Sequence, residues 1–190
     1  MESLNHSLFL ALNASSEPSP AVVLLAIITA KCLIALVPLH IGLLWVGNMR
    51  ITRFVALTSI LALTIALAAN QIIGLAAYTP RPFLIGLGHQ LIDHRPSSSF
   101  PSNHGTIVFT YAMALAFCRV WRLSLAVWCL GLLVAWSRIY LGVHFPMDML
   151  GAAIVSTLAA FVSNQVMLRY AGTLLHWVEL WTARLTPIQR

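Results

Sequence analysis

The sequence predicts an all-α fold: a polytopic membrane helical bundle of about five transmembrane helices, with interfacial helices at its N- and C-terminal ends. Three observations carry this. Hydrophobic residues make up 59% of the 190 residues and charged residues only 8%, where a soluble domain carries about 25% charged. The apolar residues collect into runs long enough for ~30 Å of hydrocarbon. The eleven Lys and Arg residues sit in the breaks between runs instead of forming a stripe, so the net charge of +6 reads as topology signals and not as a nucleic-acid surface. The length suggests a single membrane domain, 1–190.

The elements follow in order. In residues 3–13, Leu4, Leu8 and Leu12 share one face at helical spacing. The segment is too short to span, so 1–20 reads as interfacial, ended by the break Ser15-Ser16-Glu17-Pro18-Ser19-Pro20. The opening MESLNHS has no basic n-region, so the first apolar run is expected to be a retained span and not a secretory signal. Five spans are predicted, at about 21–47, 54–79, 103–119, 121–140 and 147–168. The third and fourth are charge-free only over 104–118 and 123–137, short of the roughly 20 residues a span needs. Their polar ends are therefore expected to be recessed below the membrane surface. The tail 172–190, with Trp177, Trp181 and Arg184, reads as an amphipathic helix on the cytoplasmic surface. Cys32, Cys118 and Cys129 lie inside apolar runs without C-x-x-C spacing. They read as small buried residues, not as a disulfide framework or zinc site.

Charge orients the bundle. Arg50, Arg53, Arg119, Arg122, Arg169, Arg184 and Arg190 fall on one side, seven of the eleven basic residues, which makes that side cytoplasmic. The other side holds the N-terminus and the loops 80–102 and 141–146. Arg81, Arg95 and Arg138 fall there against the trend, and Lys31 lies inside the first span.

Three polar clusters meet on that second side: Tyr78-Thr79-Pro80-Arg81-Pro82-Phe83, Ser99-Phe100-Pro101-Ser102-Asn103-His104-Gly105, and the segment SRIYLGVHFPMD at 137–148. Two arginines without nearby carboxylates suit a multiply charged oxyanion, because their planar forks match phosphate. Ser102 stands at an N-cap position, where helix amides and a hydroxyl form an anion site. Pro146 suits a first helical position and places His144 and Asp148, spaced i, i+4, around a second helix start. A carboxylate on one imidazole nitrogen fixes the tautomer and frees the other to act as nucleophile. His104 is then available to protonate a leaving oxygen. Taken singly, each residue has a plainer reading: a capping arginine, an interfacial histidine, a first-turn acid favoured by the helix dipole. Their convergence favours phosphoryl transfer. A zinc site from His104, His144 and Asp148 is disfavoured by the adjacent arginines.

These residues resemble the signature of the type 2 phosphatidic-acid phosphatase (PAP2) superfamily, related to vanadium haloperoxidases: K-x6-R-P, P-S-G-H and S-R-x5-H-x3-D. The third motif is matched at every fixed position by Ser137, Arg138, His144 and Asp148. The second carries Asn103 in place of glycine, and the first has Gly74 where the lysine stands. SFPSNHGT, AWSRIYLGVHFPMDMLG and NHSLFLALNAS look like the bacterial bacitracin-resistance (BcrC-like) undecaprenyl-pyrophosphate phosphatases. The resemblance implies His144 as nucleophile, Asp148 as its orienting partner and His104 as general acid. Arg81, Ser102 and Arg138 would hold the phosphate, with Asn103 beside them. Lys31, ~15 Å down the first span at 1.5 Å per residue and so at a depth comparable to that of Gly74, is expected to replace the absent motif lysine; a lysine that snorkels to the interface is the plainer reading. It implies a polyprenyl diphosphate substrate and neither metal nor organic cofactor. The site would face the outside of a bacterial inner membrane, and undecaprenyl phosphate would be released for cell-wall synthesis. Membrane lipids are the other expected partners, nucleic acid is not, and the sequence leaves the oligomeric state open. Other lipid phosphates, such as phosphatidylglycerophosphate or lipid A, share these motifs, and a non-catalytic lipid binder or transporter is the alternative from another class.

Overall fold

The computed structural model describes residues 2–47 and 49–185, and among them the regular structure is entirely helical. Helix α1 spans Glu2–Leu12, α2 Pro20–Cys32, α3 Leu36–Val46, α4 Arg50–Ala76, α5 Asn103–Phe117, α6 Trp121–Tyr140 and α7 Pro146–Leu185. Four stretches are long and apolar enough to cross a membrane: Pro20–Val46, Arg50–Ala76, Trp121–Tyr140 and Pro146–Val178. The expected third span is α5, whose 15 residues rise only about 22 Å. It is the central helix, packed against α4, α6 and α7.

Local chemistry sets the boundaries. Pro20 and Pro146 begin α2 and α7, where the missing N–H costs nothing. The first span is broken by a 3-10 turn at Leu33–Ala35. Pro38 explains the break, since it cannot donate to the carbonyl four residues back and its ring crowds it. The segment expected as a separate surface helix, 172–190, continues α7 unbroken to Leu185; residues 186–190 lie outside the described residues. Cys32 and Cys129 are exposed on the outer faces of α2 and α6 instead of buried. In a bilayer protein an apolar neighbourhood does not require burial, because the outward face is also apolar.

Small residues bring the helices together. Ala62 of α4, Ala114 of α5 and Ala160 of α7 are fully buried against one another, which lets the backbones approach closely. Hydroxyls join the same helices. Thr110 Oγ1 donates to Ser156 Oγ at 2.9 Å, Ser156 Oγ to the Thr106 carbonyl at 3.1 Å, and Ser163 Oγ to the Thr58 carbonyl at 2.7 Å.

At one end of the bundle α1 and the long loop between α4 and α5 cover the turn between α6 and α7. Phe9 of α1 is fully buried against Phe145, ring centroids 5.3 Å apart. Asn5 Oδ1 accepts from the Met147 amide at 3.1 Å. Asn13 Nδ2 donates to the His89 and Tyr140 carbonyls, both at 3.0 Å, and Asn13 Oδ1 accepts from the His89 amide at 2.7 Å. The Leu91 amide donates to the Leu141 carbonyl at 3.1 Å. Gly142 makes this crossing possible: its φ of 78° is left-handed, and a Cβ there would run into the His89 carbonyl.

Candidate active site

The site lies where α5 begins, α6 ends and α7 begins, under the loop that follows α4. The helix α5 starts at Ser102, whose Oγ accepts from the Gly105 amide at 3.4 Å. The Ser102 amide donates to the Asp148 carbonyl at 3.3 Å, so the first turns of α5 and α7 are tied to each other. The ring of Phe100, next to a cis Phe100–Pro101 peptide, occupies the space a side chain at Gly151 would fill.

His144 and Asp148 are both about 2% exposed. Asp148 Oδ2 takes the His144 Nδ1–H at 3.1 Å, the Phe145 amide at 2.8 Å and the hydroxyl of Ser99. On the other edge of the ring, His144 Nε2 lies 3.0 Å from Arg81 Nη1. An arginine only donates, so these partners assign the tautomer: proton on Nδ1, lone pair on Nε2. Burial holds the imidazole down to about 4, against the raising hydrogen bond and charge of Asp148. At neutral pH the imidazole is therefore neutral, with its Nδ1–H on Asp148.

The two arginines differ. Arg81 is clamped by the protein. Its Nε donates to the Ser97 carbonyl at 3.0 Å, Nη2 to Ser97 Oγ and the Ser98 carbonyl, and Nη1 to the Val143 carbonyl at 2.9 Å as well as to His144. Burial pulls its pKa down, and the charge of Asp148 partly restores it. Arg138, on the last turn of α6, is 3% exposed, yet its Nε and Nη2 make no hydrogen bond among the described residues. A buried guanidinium with open donors is costly and suits an anion that accepts in its plane. Arg138 lies close enough to act on the charge of both His144 and His104.

The remaining expected residues fall as follows. His104, on the first turn of α5, faces the same charges: Arg138, His144, His94 and Arg81. Asn103 is held by Asn70 of α4, whose Nδ2 donates to Asn103 Oδ1 at 3.0 Å and to Thr106 Oγ1 at 2.9 Å. Lys31 is exposed on α2 and takes part in none of the hydrogen bonds of the site. A Cβ added at Gly74, the place of the motif lysine, would touch Ser98. Four residues given no role from sequence also belong here. Ser97 and Ser98 hold Arg81, Ser99 holds Asp148, and the His94 ring lies 6.1 Å from that of His144. Among the described residues no group of three His, Cys, Asp or Glu side chains is placed to hold a metal ion.

A neutral imidazole with a fixed tautomer lies beside an open guanidinium and a helix N-terminus, groups of the kind that receive an oxyanion. In a membrane bundle this describes a membrane phosphatase. The PAP2 superfamily profile matches residues 55–171. YbjG of Escherichia coli (strain K12), named as a candidate undecaprenyl-diphosphatase, is 39% identical over 171 residues, covering 88% of this chain and 86% of its own. Undecaprenyl-diphosphatase BcrC of Bacillus subtilis (strain 168) is 28% identical over 178 residues, 93% of this chain and 89% of its own. Among solved structures, LpxE of Aquifex aeolicus shares the fold, with a TM-score of 0.69 at 23% identity over 85% of this chain and 95% of its own. The chain belongs to the PAP2 superfamily.

Proposed function

We propose that the protein is a lipid pyrophosphatase that hydrolyses undecaprenyl diphosphate to undecaprenyl phosphate and inorganic phosphate. The observation that carries the reading is the buried, unpartnered Arg138 fork beside the His144–Asp148 pair; relatives of the BcrC kind support the choice of substrate. His144 Nε2 attacks the terminal phosphorus, an N–P bond forms and the bridging P–O bond breaks. His104, which takes up a proton from solvent as the anionic substrate binds, gives that proton to the departing undecaprenyl phosphate. Water then attacks the phosphohistidine and passes a proton to His104, the N–P bond breaks, and phosphate leaves.

Arg138, the α5 amides behind Ser102 and Nη1 of Arg81 stabilise charge on the transferring group. They supply the electrostatics that magnesium provides in many phosphoryl transfers, so the reaction is metal-independent. Nη1 exchanges His144 Nε2 for a phosphate oxygen as substrate enters. Ile107, one turn beyond Asn103, lines an apolar cleft of about 760 Å³ with Trp45 and Leu67, a surface suited to an isoprenoid chain near the site. The site faces the outside of a bacterial inner membrane, by the arginine distribution, and the product returns as a carrier for cell-wall precursors.

The test is phosphate release from undecaprenyl diphosphate in detergent with EDTA, with phosphatidylglycerophosphate and a lipid A phosphate as rival substrates. Wild type should prefer the diphosphate, and His144→Ala should lose at least about 10³-fold in rate. A His144→Ala enzyme as fast as wild type overturns the nucleophile, and preference for a rival lipid overturns the substrate.

A further inference from the structure

One group beside His144 takes no part in these steps: His94. It lies on the loop between α4 and α5, half-buried, with its ring centroid 6.1 Å from that of His144 and the planes 77° apart. Its Nδ1 is 3.1 Å from the Arg95 carbonyl. A carbonyl can only accept, so Nδ1 carries a proton and Nε2 is the nitrogen left to meet a ligand.

The charge available to that ligand is limited. A diphosphate ester brings two to three negative charges. Before substrate enters, Arg81 spends its Nε, Nη1 and Nη2 donors on Ser97, Ser98, Val143 and His144; only the Nη1 bond to His144 is exchanged on binding, and the Arg138 fork is the donor set that starts open. The groups acting on His94 come from every element around it. Arg81 reaches it from the start of the same loop, Arg138 from α6, and His104 from α5. His144 stands across from it with Asp148 of α7 behind, and Asp93 and Arg95 flank it in sequence.

Resting on the phosphatase reading, the geometry points to His94 as a substrate-binding residue, whose Nε2 takes up a proton as the diphosphate enters and then donates to a phosphate oxygen. Before binding, burial keeps the ring below the ordinary histidine value, with the two arginines adding to the effect. The arriving anion reverses that balance and favours the imidazolium. The residue is thus a cation supplied on demand.

Two measurements test this. The first compares farnesyl diphosphate hydrolysis by wild type, His94→Asn and His94→Lys. His94→Asn should raise KM roughly tenfold or more with kcat little changed. His94→Lys should restore KM and keep it flat as pH rises, where wild-type KM climbs. An unchanged KM in His94→Asn overturns the inference, and so does a loss that lysine fails to rescue, because a merely structural histidine would behave that way. The second is calorimetric binding of farnesyl diphosphate to His144→Ala in two buffers of different ionisation enthalpy. Proton uptake should fall by about one between His144→Ala and the same enzyme carrying His94→Asn, by simple linkage. Equal uptake overturns the assignment. A wild type that releases no phosphate defeats the phosphatase reading, and the calorimetry still decides His94.

Discussion

One oxygen, Oδ2 of Asp148, accepts from the His144 ring, the Phe145 amide and the Ser99 hydroxyl. A hydrogen bond to a charged acceptor is worth about 1.5–3 kcal/mol. Ser99→Ala should therefore lower kcat roughly 10- to 100-fold while KM moves little, and Ser99→Thr should recover part of the loss. Steady-state kinetics on the two variants checks this. The pH dependence has a definite sign. His144 titrates at about 4 in the folded chain and near 6.5 unfolded, so the unfolded state binds more protons between these values. Stability falls as pH drops through that window, and the nucleophile stays neutral throughout it. The acid limb of kcat/KM due to His144 should lie near 4; a limb near 6.5 that vanishes in a His144 variant would contradict its burial. At this scale the sequence was legible where spacing is fixed by a helix start. Arg138, His144 and Asp148 are read from one segment that ends α6 and opens α7, and Ser102 from its N-cap position. Ser97, Ser99 and His94 were not legible, because they meet their partners across 45 or more residues of chain or from a loop without period. The Ser97-Ser98-Ser99 run beside two motif segments was the available signal. Lys31 shows the opposite limit, for depth along a helix says nothing about which way the side chain faces.

At the scale of elements, the loop and α1 act as fasteners for the α6–α7 turn. Asn13→Ala removes bonds to His89 and Tyr140 and should cost about 1–3 kcal/mol, seen as a lower Tm in detergent. Gly142→Ala should destabilise more strongly, since it combines a left-handed φ with collision against the His89 carbonyl. Helices were readable from apolar runs and from Ser102 and Pro146. The 3-10 break before Pro38 and the unbroken length of α7 were harder to read. Hydropathy reports where lipid is, and a helix that continues past the hydrocarbon leaves no change of period to mark it.

For the whole molecule, α4, α5 and α7 meet on alanines. Ala160→Leu adds volume where Ala62 and Ala114 leave none. It should destabilise by about 1–3 kcal/mol without altering any polar group, which thermal unfolding in detergent would register. Composition announced the bundle, but not that the shortest of its five expected spans would be its centre. A helix surrounded by others need not match the membrane in length, and α5 stops short at the end where the polar groups gather.

The loop between α4 and α5 has little regular structure, but it is not slack. Its amides at His89, Leu91, Ser97 and Ser99 are hydrogen-bonded, and the Ser97 and Ser98 carbonyls are taken by Arg81. In hydrogen–deuterium exchange it should resist labelling as a helix does. A substrate would then meet a fixed rim, and exchange protection across 89–99 should scarcely change when the site fills.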